Sequence, residues 1–255
     1  KTSPNVIAPF SLGTMSVRMP PGLVSAMTAL RFNLAGIPVR VEPVFFLIMF
    51  LIGGIGRPLP ITVWFVVLGF VSILFHELAH AVAFRMFGRA PSIVLHAFGG
   101  ATSAPGMPLS RARDVLVAAV GPLSQILLLG LPALALRYPI ARGFQSITWL
   151  IVLTDMAWVN LAWGILNLMP VLPLDGGRIA AGLLGGTRNG MRIAYLLGIA
   201  VAGAGVVWGL MRQEIFLAMF SAMFIATNVQ ALRADRDTPL VESIRHGHRS
   251  IDAGD

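Results

Sequence analysis

The sequence predicts an all-α polytopic membrane protein of about six transmembrane helices, with short membrane-associated β strands and a hairpin. Three observations carry that expectation. The 255 residues are 56% hydrophobic and only 12% charged, against roughly 25% charged in soluble domains. Apolar runs recur at 43–56, 60–84, 115–136, 144–168, 193–211 and 215–232, most of them near the twenty or so residues that cross a hydrocarbon core. Basic residues are also distributed unevenly between the intervening loops. Of 19 Lys and Arg, 15 fall on one side of a six-span arrangement, leaving Arg57, Arg137, Arg142 and Arg212 on the other. That asymmetry is the positive-inside pattern and puts both termini in the cytoplasm. It also accounts for a net charge of +8 without a nucleic-acid partner.

The expected layout is an N-terminal cytoplasmic segment over 1–32, a six-span domain over 33–232 and a polar, unstructured cytoplasmic tail over 233–255. No apolar stretch follows a basic start in the first 22 residues, so no cleavable signal peptide is expected, and Met15 and Met19 are candidate starts. Ile37, Val39 and Val41 alternate with Pro38, Arg40 and Glu42, a period of two that reads as a strand at the membrane surface. The first span, 43–56, is the weakest, since fourteen helical residues cover only about 21 Å. Pro60 suits a helix start for the second span. Residues 92–103 are too polar to span and read as a hairpin turning near Gly99-Gly100. Ser110 is a candidate N-cap for the third span, which contains Gly121-Pro122 and Gln125. The fourth carries Asp155, Asn160 and Asn167, the two asparagines seven apart and so on nearly one face. Pro170-Val-Leu-Pro-Leu-Asp-Gly-Gly-Arg178 must then break the helix. Gly205 and Gly209 give the fifth span a small-residue packing signal.

The chemistry concentrates at His76-Glu-Leu-Ala-His80, inside the second span. On a helix the two histidines are one turn apart, about 6 Å along the axis, so both imidazoles can reach one metal ion. Glu77 beside them is placed to polarise a metal-activated water, as in zinc metalloproteases. A glutamate near the bilayer centre costs on the order of a few kcal/mol, a cost usually kept for function. The chain has no cysteine, so any metal is held by nitrogen and oxygen. A catalytic zinc site needs a third protein ligand. Of the remaining acids and histidines, Glu42, His96, Asp114 and Asp175 lie at the right depth, whereas Asp155 lies well before the cytoplasmic end of its span. Asp175 is favoured because it leaves a broken stretch at the inner end of the fourth span, and broken backbone at membrane depth must line a cavity or be buried in protein. The competing reading makes Asp175 the N-cap of a helix starting at Gly176.

His76-Glu77-Leu-Ala-His80, with Asn167-Leu-Met-Pro170-Val-Leu-Pro-Leu-Asp175-Gly176, resembles the site-2 protease family of intramembrane zinc metalloproteases. The paired signature of that family is HExxH followed by NxxPxxxLDG. Further similarity lies in Gly36-Ile-Pro-Val-Arg40, Phe98-Gly99-Gly100 and Ala119-Val-Gly-Pro122, so the resemblance covers roughly 33–185. It implies a zinc ion held by His76, His80 and Asp175, Glu77 as general base, and Asn167 binding substrate backbone or the developing oxyanion. Expected partners are the lipid bilayer, a transmembrane protein substrate and a regulatory membrane protein. Relatives cut membrane-anchored transcription regulators, anti-sigma or pro-sigma factors, so regulated intramembrane proteolysis in a bacterial or archaeal plasma membrane is implied. The chain has no room for the PDZ or CBS domains of other subgroups, and Gln125 stands where relatives often have Asn, which leaves that position without a role. The alternative reading is an intramembrane metal or proton transporter using the same groups as a relay; a third is an inactive family member serving as a scaffold.

Overall fold

The computed structural model describes residues 29–54, 56–107, 109–143, 147–186 and 189–252, with the side chains of 139–142 and 236–252 left aside. Most of the expected N-terminal segment, 1–28, therefore lies outside the described residues. The chain divides into two compact units, one of residues up to Ser110 with Val120–Ile165, the other of Arg111–Ala119 with Leu166–Asp255.

The first unit is built on a four-stranded sheet in the order β1-β2-β3-β4. Strands β1 (Leu30–Leu34) and β2 (Ile37–Val41) form a hairpin. Ala35 and Gly36 turn it with φ of 50° and 79°, the left-handed pair that a two-residue hairpin loop requires. The boundary expected at residue 32 thus falls inside a strand. Leu30, Phe32 and Leu34 alternate with Arg31 and Asn33, a period that marks β1 as clearly as β2. The strand expected at 36–42 is β2: Ile37, Val39 and Val41 are buried while Pro38 and Arg40 face out.

Between β2 and β3 the chain makes a helical hairpin, α1 (Pro43–Gly54) and α2 (Leu59–Met86), which is why β2 and β3 (Ser92–His96) run parallel. Strand β4 (Gly99–Ser103) returns antiparallel to β3. The turn of that second hairpin lies at Ala97-Phe98, two residues before the position expected from the glycines. Ile37, Val39, Val41, Ile93 and Leu95 bury one sheet face against Phe45 and Met49 of α1 and Ile73, Leu74 and Ala81 of α2. At about 25 cal/mol per Å² of apolar surface removed from water, this core fixes the sheet beside the C-terminal half of α2.

Helix α3 (Arg111–Gln125) passes through a π-helical turn, Ile126–Gly130, into α4 (Leu131–Gly143). Ser110 occupies the N-cap position of α3, with extended ψ of 151° but no side-chain capping bond. Helix α5 (Ile147–Asn167) completes this unit's helices. Arg57 pairs with Asp155 of α5 at 2.6 Å, which gives a partner to the acid expected to lie well before the cytoplasmic end of its span.

In the second unit, α6 (Asp175–Leu184) follows the broken stretch, and α7 (Gly190–Met211) and α8 (Ile215–Asp252) form a hairpin. Gly205 lies against Ser221 and Gly209 against the backbone of Ala218, so the small-residue signal marks a close helix pair. Helix α8 continues past Arg233 to Asp252, correcting the expectation of an unstructured tail from 233. The backbone stays helical through both Pro239 and Gly247, residues that from sequence alone argue for a stop.

Among the described residues, five helices are long and apolar enough to cross a membrane, and Pro43–Gly54 is a shorter apolar helix. Its twelve residues rise about 18 Å against a core of about 30 Å. The architecture is that of a polytopic α-helical membrane protein with a small sheet.

Candidate metal centre

His76, Glu77 and His80 lie on α2 where the sheet and α3 close over it, and all three are buried, between 3% and 5% exposed. Helix periodicity puts both imidazoles on one face, and their Nε2 atoms stand 3.0 Å apart. Two nitrogens held tetrahedrally by one zinc at about 2.05 Å would be about 3.3 Å apart, so the pair fits that ion with little adjustment. Gly121 of α3 makes room for it: a Cβ there would overlap the His80 ring.

The other ring nitrogen of His76, Nδ1, lies 3.0 Å from Oε1 of Gln125, a side chain with no exposed surface. With Nδ1–H donating to that oxygen, Nε2 carries the lone pair a metal needs. Gln125, to which the sequence assigned no role, is therefore part of the site.

Glu77 points to the sheet. The Thr102 hydroxyl lies 2.7 Å from Glu77 Oε2 and 3.0 Å from the Glu77 backbone oxygen. Gly100 faces the same side chain, and a Cβ there would collide with the carboxylate. Thr102 was not legible as a site residue, because nothing local in β4 announces its contact with α2.

In the second unit, Asp175 is 9% exposed and is the first residue of α6. The N-cap position belongs to Leu174, so the reading of Asp175 as a cap of a helix from Gly176 does not hold. Arg178, one turn on, lies 3.8 Å from the Asp175 carboxylate and donates to Asp114 at 2.7 Å. Gly176 and Gly177 are required by close approach: a Cβ on Gly177 would come within 2.6 Å of the Leu172 nitrogen, and one on Gly176 would meet the Leu168 carbonyl. The loop before Asp175 is pinned by Asn228 of α8, whose Nδ2 donates to the Leu172 carbonyl at 2.9 Å while its Oδ1 accepts from the Leu172 N–H at 3.4 Å. Asn228 was missed from sequence, where an asparagine 56 residues from the loop carries no local signal. Asn167 ends α5 and is half-buried.

The other candidates have local duties. Glu42 accepts a bond from Arg40 at 3.2 Å on the exposed face of the sheet, Asp114 is Arg178's partner, and His96 Nδ1 accepts the Phe98 N–H in the hairpin turn.

Residues 133–207 match the model of peptidase family M50. A zinc metalloprotease of Methanocaldococcus jannaschii is 28% identical over 197 residues, covering 74% of this chain and 56% of that protein. A protein of Synechocystis sp., provisionally assigned as a zinc metalloprotease, is 31% identical over 202 residues, covering 69% of this chain and 52% of its own length. The chain thus spans about half the length of these curated relatives. Among solved structures, the site-2 protease from Methanocaldococcus jannaschii superposes with a TM-score of 0.59 at 25% identity, covering 80% of this chain and 95% of that one. On these matches, and on a helix-borne His-Glu-x-x-His beside a four-stranded sheet, the chain is a member of the site-2 protease family within peptidase family M50.

Proposed function

We propose that this protein is an intramembrane zinc metalloprotease that hydrolyses peptide bonds within or near transmembrane segments of membrane-anchored regulatory proteins. The observation that carries the reading is the buried imidazole pair with Nε2 atoms 3.0 Å apart, next to a carboxylate held by its own hydroxyl partner, on a helix long enough to cross a bilayer. His76, His80 and Asp175 are the proposed ligands. Each of the three is buried, and an N,N,O donor set without thiolate suits zinc. When bound, zinc supplies Lewis acidity toward a water and a peptide carbonyl.

The remaining steps belong to the chain. Glu77 Oε2 is engaged by Thr102, which leaves Oε1 to accept the proton of the attacking water. The water oxygen first adds to the scissile carbon, opening the C=O to a tetrahedral oxyanion. Its collapse then restores the C=O and breaks the C–N bond as Glu77 returns the proton to the leaving amine. Asn167 donates to the oxyanion that develops on the carbonyl oxygen. A helical substrate hides its peptide bonds and must unwind first. Among the described residues β4 is an end strand of the sheet, and its outer edge, beside Glu77, is the proposed place of β-augmentation by an unwound segment. A cytoplasmic orientation of both termini is part of the proposal and is supported by the charge asymmetry of the sequence.

A transporter using the same groups would need no hydroxyl fixing Glu77 one residue from the first histidine. Incubating the purified chain in lipid nanodiscs with single-span substrates tests the proposal. Chelator-sensitive cleavage that Glu77→Gln abolishes is expected; metal flux in liposomes without cleavage would favour transport instead.

A further inference from the structure

Within the first unit, the π turn and α4 lie against α5 in a register set by two close contacts. A Cβ on Gly130 would meet Leu161, and one on Gly164 would meet Ile126, so the two segments run antiparallel. Along one side of this pair is a groove of about 360 Å³. Leu134 and Arg137 line it from α4, and Thr154, Trp158, Leu161 and Ile165 line it from α5. The α5 residues recur at steps of four, three and four, a single stripe of that helix. From Thr154 to Ile165 the stripe runs about 16 Å, roughly half of a hydrocarbon core about 30 Å thick. The groove has the depth of one leaflet.

Its polarity is graded along that length. Arg137 is two turns past Gly130 and Thr154 two turns before Leu161, so the antiparallel register brings them level at one end. The apolar span that contains α4 ends at Tyr138, an aromatic of the kind enriched at the headgroup layer. Next to Thr154, Asp155 is paired with Arg57, a second mark of the same polar layer. The Thr154 hydroxyl donates to the Leu150 carbonyl at 2.6 Å, so the groove's free side-chain donor is Arg137. Arg137 is exposed, and no carboxylate pairs with it among the described residues. At the opposite end Ile165 is 60% exposed, with nothing polar lining that part of the groove.

We propose that this groove seats one anionic phospholipid, its phosphate on Arg137 and one acyl chain laid along Trp158, Leu161 and Ile165. A guanidinium offers paired N–H groups that match phosphate oxygens, and an unneutralised cation between membrane helices selects an anionic headgroup. Trp158, 68% exposed, adds an apolar ring to the wall beside the chain. Spread over about 16 Å, the volume is too thin for a helix 10–12 Å across, which would rest on the rim; a hydrocarbon chain enters.

Native mass spectrometry of the full chain, released from micelles holding equal phosphatidylglycerol and phosphatidylcholine, tests this. Wild type is expected to retain one phosphatidylglycerol in preference to phosphatidylcholine. Arg137→Gln should lower that retention about fivefold and erase the preference. Arg212→Gln, which removes the same charge elsewhere, should leave both unchanged. Ala162→Phe, at an exposed position of the groove, should expel either lipid. Phosphatidylglycerol brominated on its acyl chains should also quench tryptophan fluorescence less in Trp158→Phe than in Trp208→Phe. Full retention in Arg137→Gln, equal loss in Arg212→Gln, or equal quenching in the two tryptophan variants would each overturn the inference. So would displacement of the lipid by a single-span peptide that crosslinks at Trp158, since a helix would then be the occupant. Lipid retention involves neither zinc nor cleavage, so its failure leaves the protease reading standing, and the converse holds.

Discussion

Glu77 and His80 each face a glycine that sets how near the neighbouring backbone can come. A Cβ on Gly100 would push against the Glu77 carboxylate, and one on Gly121 against the His80 ring. The two substitutions should therefore separate the functions of the site. Gly100→Ala is expected to lower cleavage about tenfold or more while zinc content stays near one per chain, since it moves the proposed base and not a proposed ligand. Gly121→Ala is expected to lose zinc as well, as metal analysis after gel filtration will show. Thr102→Val removes the hydroxyl from Glu77 Oε2; a hydrogen bond to a charged group is worth about 1.5–3 kcal/mol, so the turnover number should fall about tenfold or more with zinc retained. The glycines also show why the hairpin turn was misplaced from sequence. Gly99 opens β4 with φ of 117° and Gly100 gives Glu77 room, so neither marks the turn itself. A glycine used for close approach and one used for chain reversal look alike in a sequence.

The elements hold the site through polar contacts at long sequence separation. Asn228 grips both polar groups of Leu172 from α8, so Asn228→Leu leaves a buried loop unsatisfied. Stability should drop by on the order of 3 kcal/mol, seen as a lower unfolding temperature in detergent. Arg57 and Asp155 tie the α1–α2 loop to α5 within a partly buried ion pair. Removing one partner strands the other, whereas removing both does not. Asp155→Leu is accordingly expected to destabilise more than the pair Arg57→Leu/Asp155→Leu in the same melting assay; the reverse order would show that the ion pair is not the reason Asp155 is there. The elements themselves were largely legible, because hydropathy and period two depend on local composition: α2, α5, α7 and β2 fall where the apolar runs and the Ile37, Val39, Val41 alternation put them. What composition could not give was the end of α8, since its polar residues beyond Arg233 are as compatible with helix as with coil.

At the scale of the molecule, the sequence is free of cysteine, so orientation can be tested without background. With both termini cytoplasmic, Met107→Cys, whose parent residue is 81% exposed, should react with a membrane-impermeant maleimide only after spheroplasts are opened. Glu214→Cys, between α7 and α8, should react in intact ones; the opposite pattern would reverse the charge-based assignment. The proposed ligands rest, in the sequence, on two independent constraints: one helical turn separates His76 from His80, and few acids lie near their depth. Their supports were not legible there, since Gln125, Thr102 and Asn228 act across tertiary contacts that leave no periodic trace. The central claim is that one zinc ion is held by the two histidines together with Asp175. Metal content of purified wild type and of His76→Ala, His80→Ala, Asp175→Ala and Glu77→Gln tests it most directly. About one zinc in wild type and in Glu77→Gln, and almost none in the other three, is the expected result; a full complement of zinc in Asp175→Ala would contradict it.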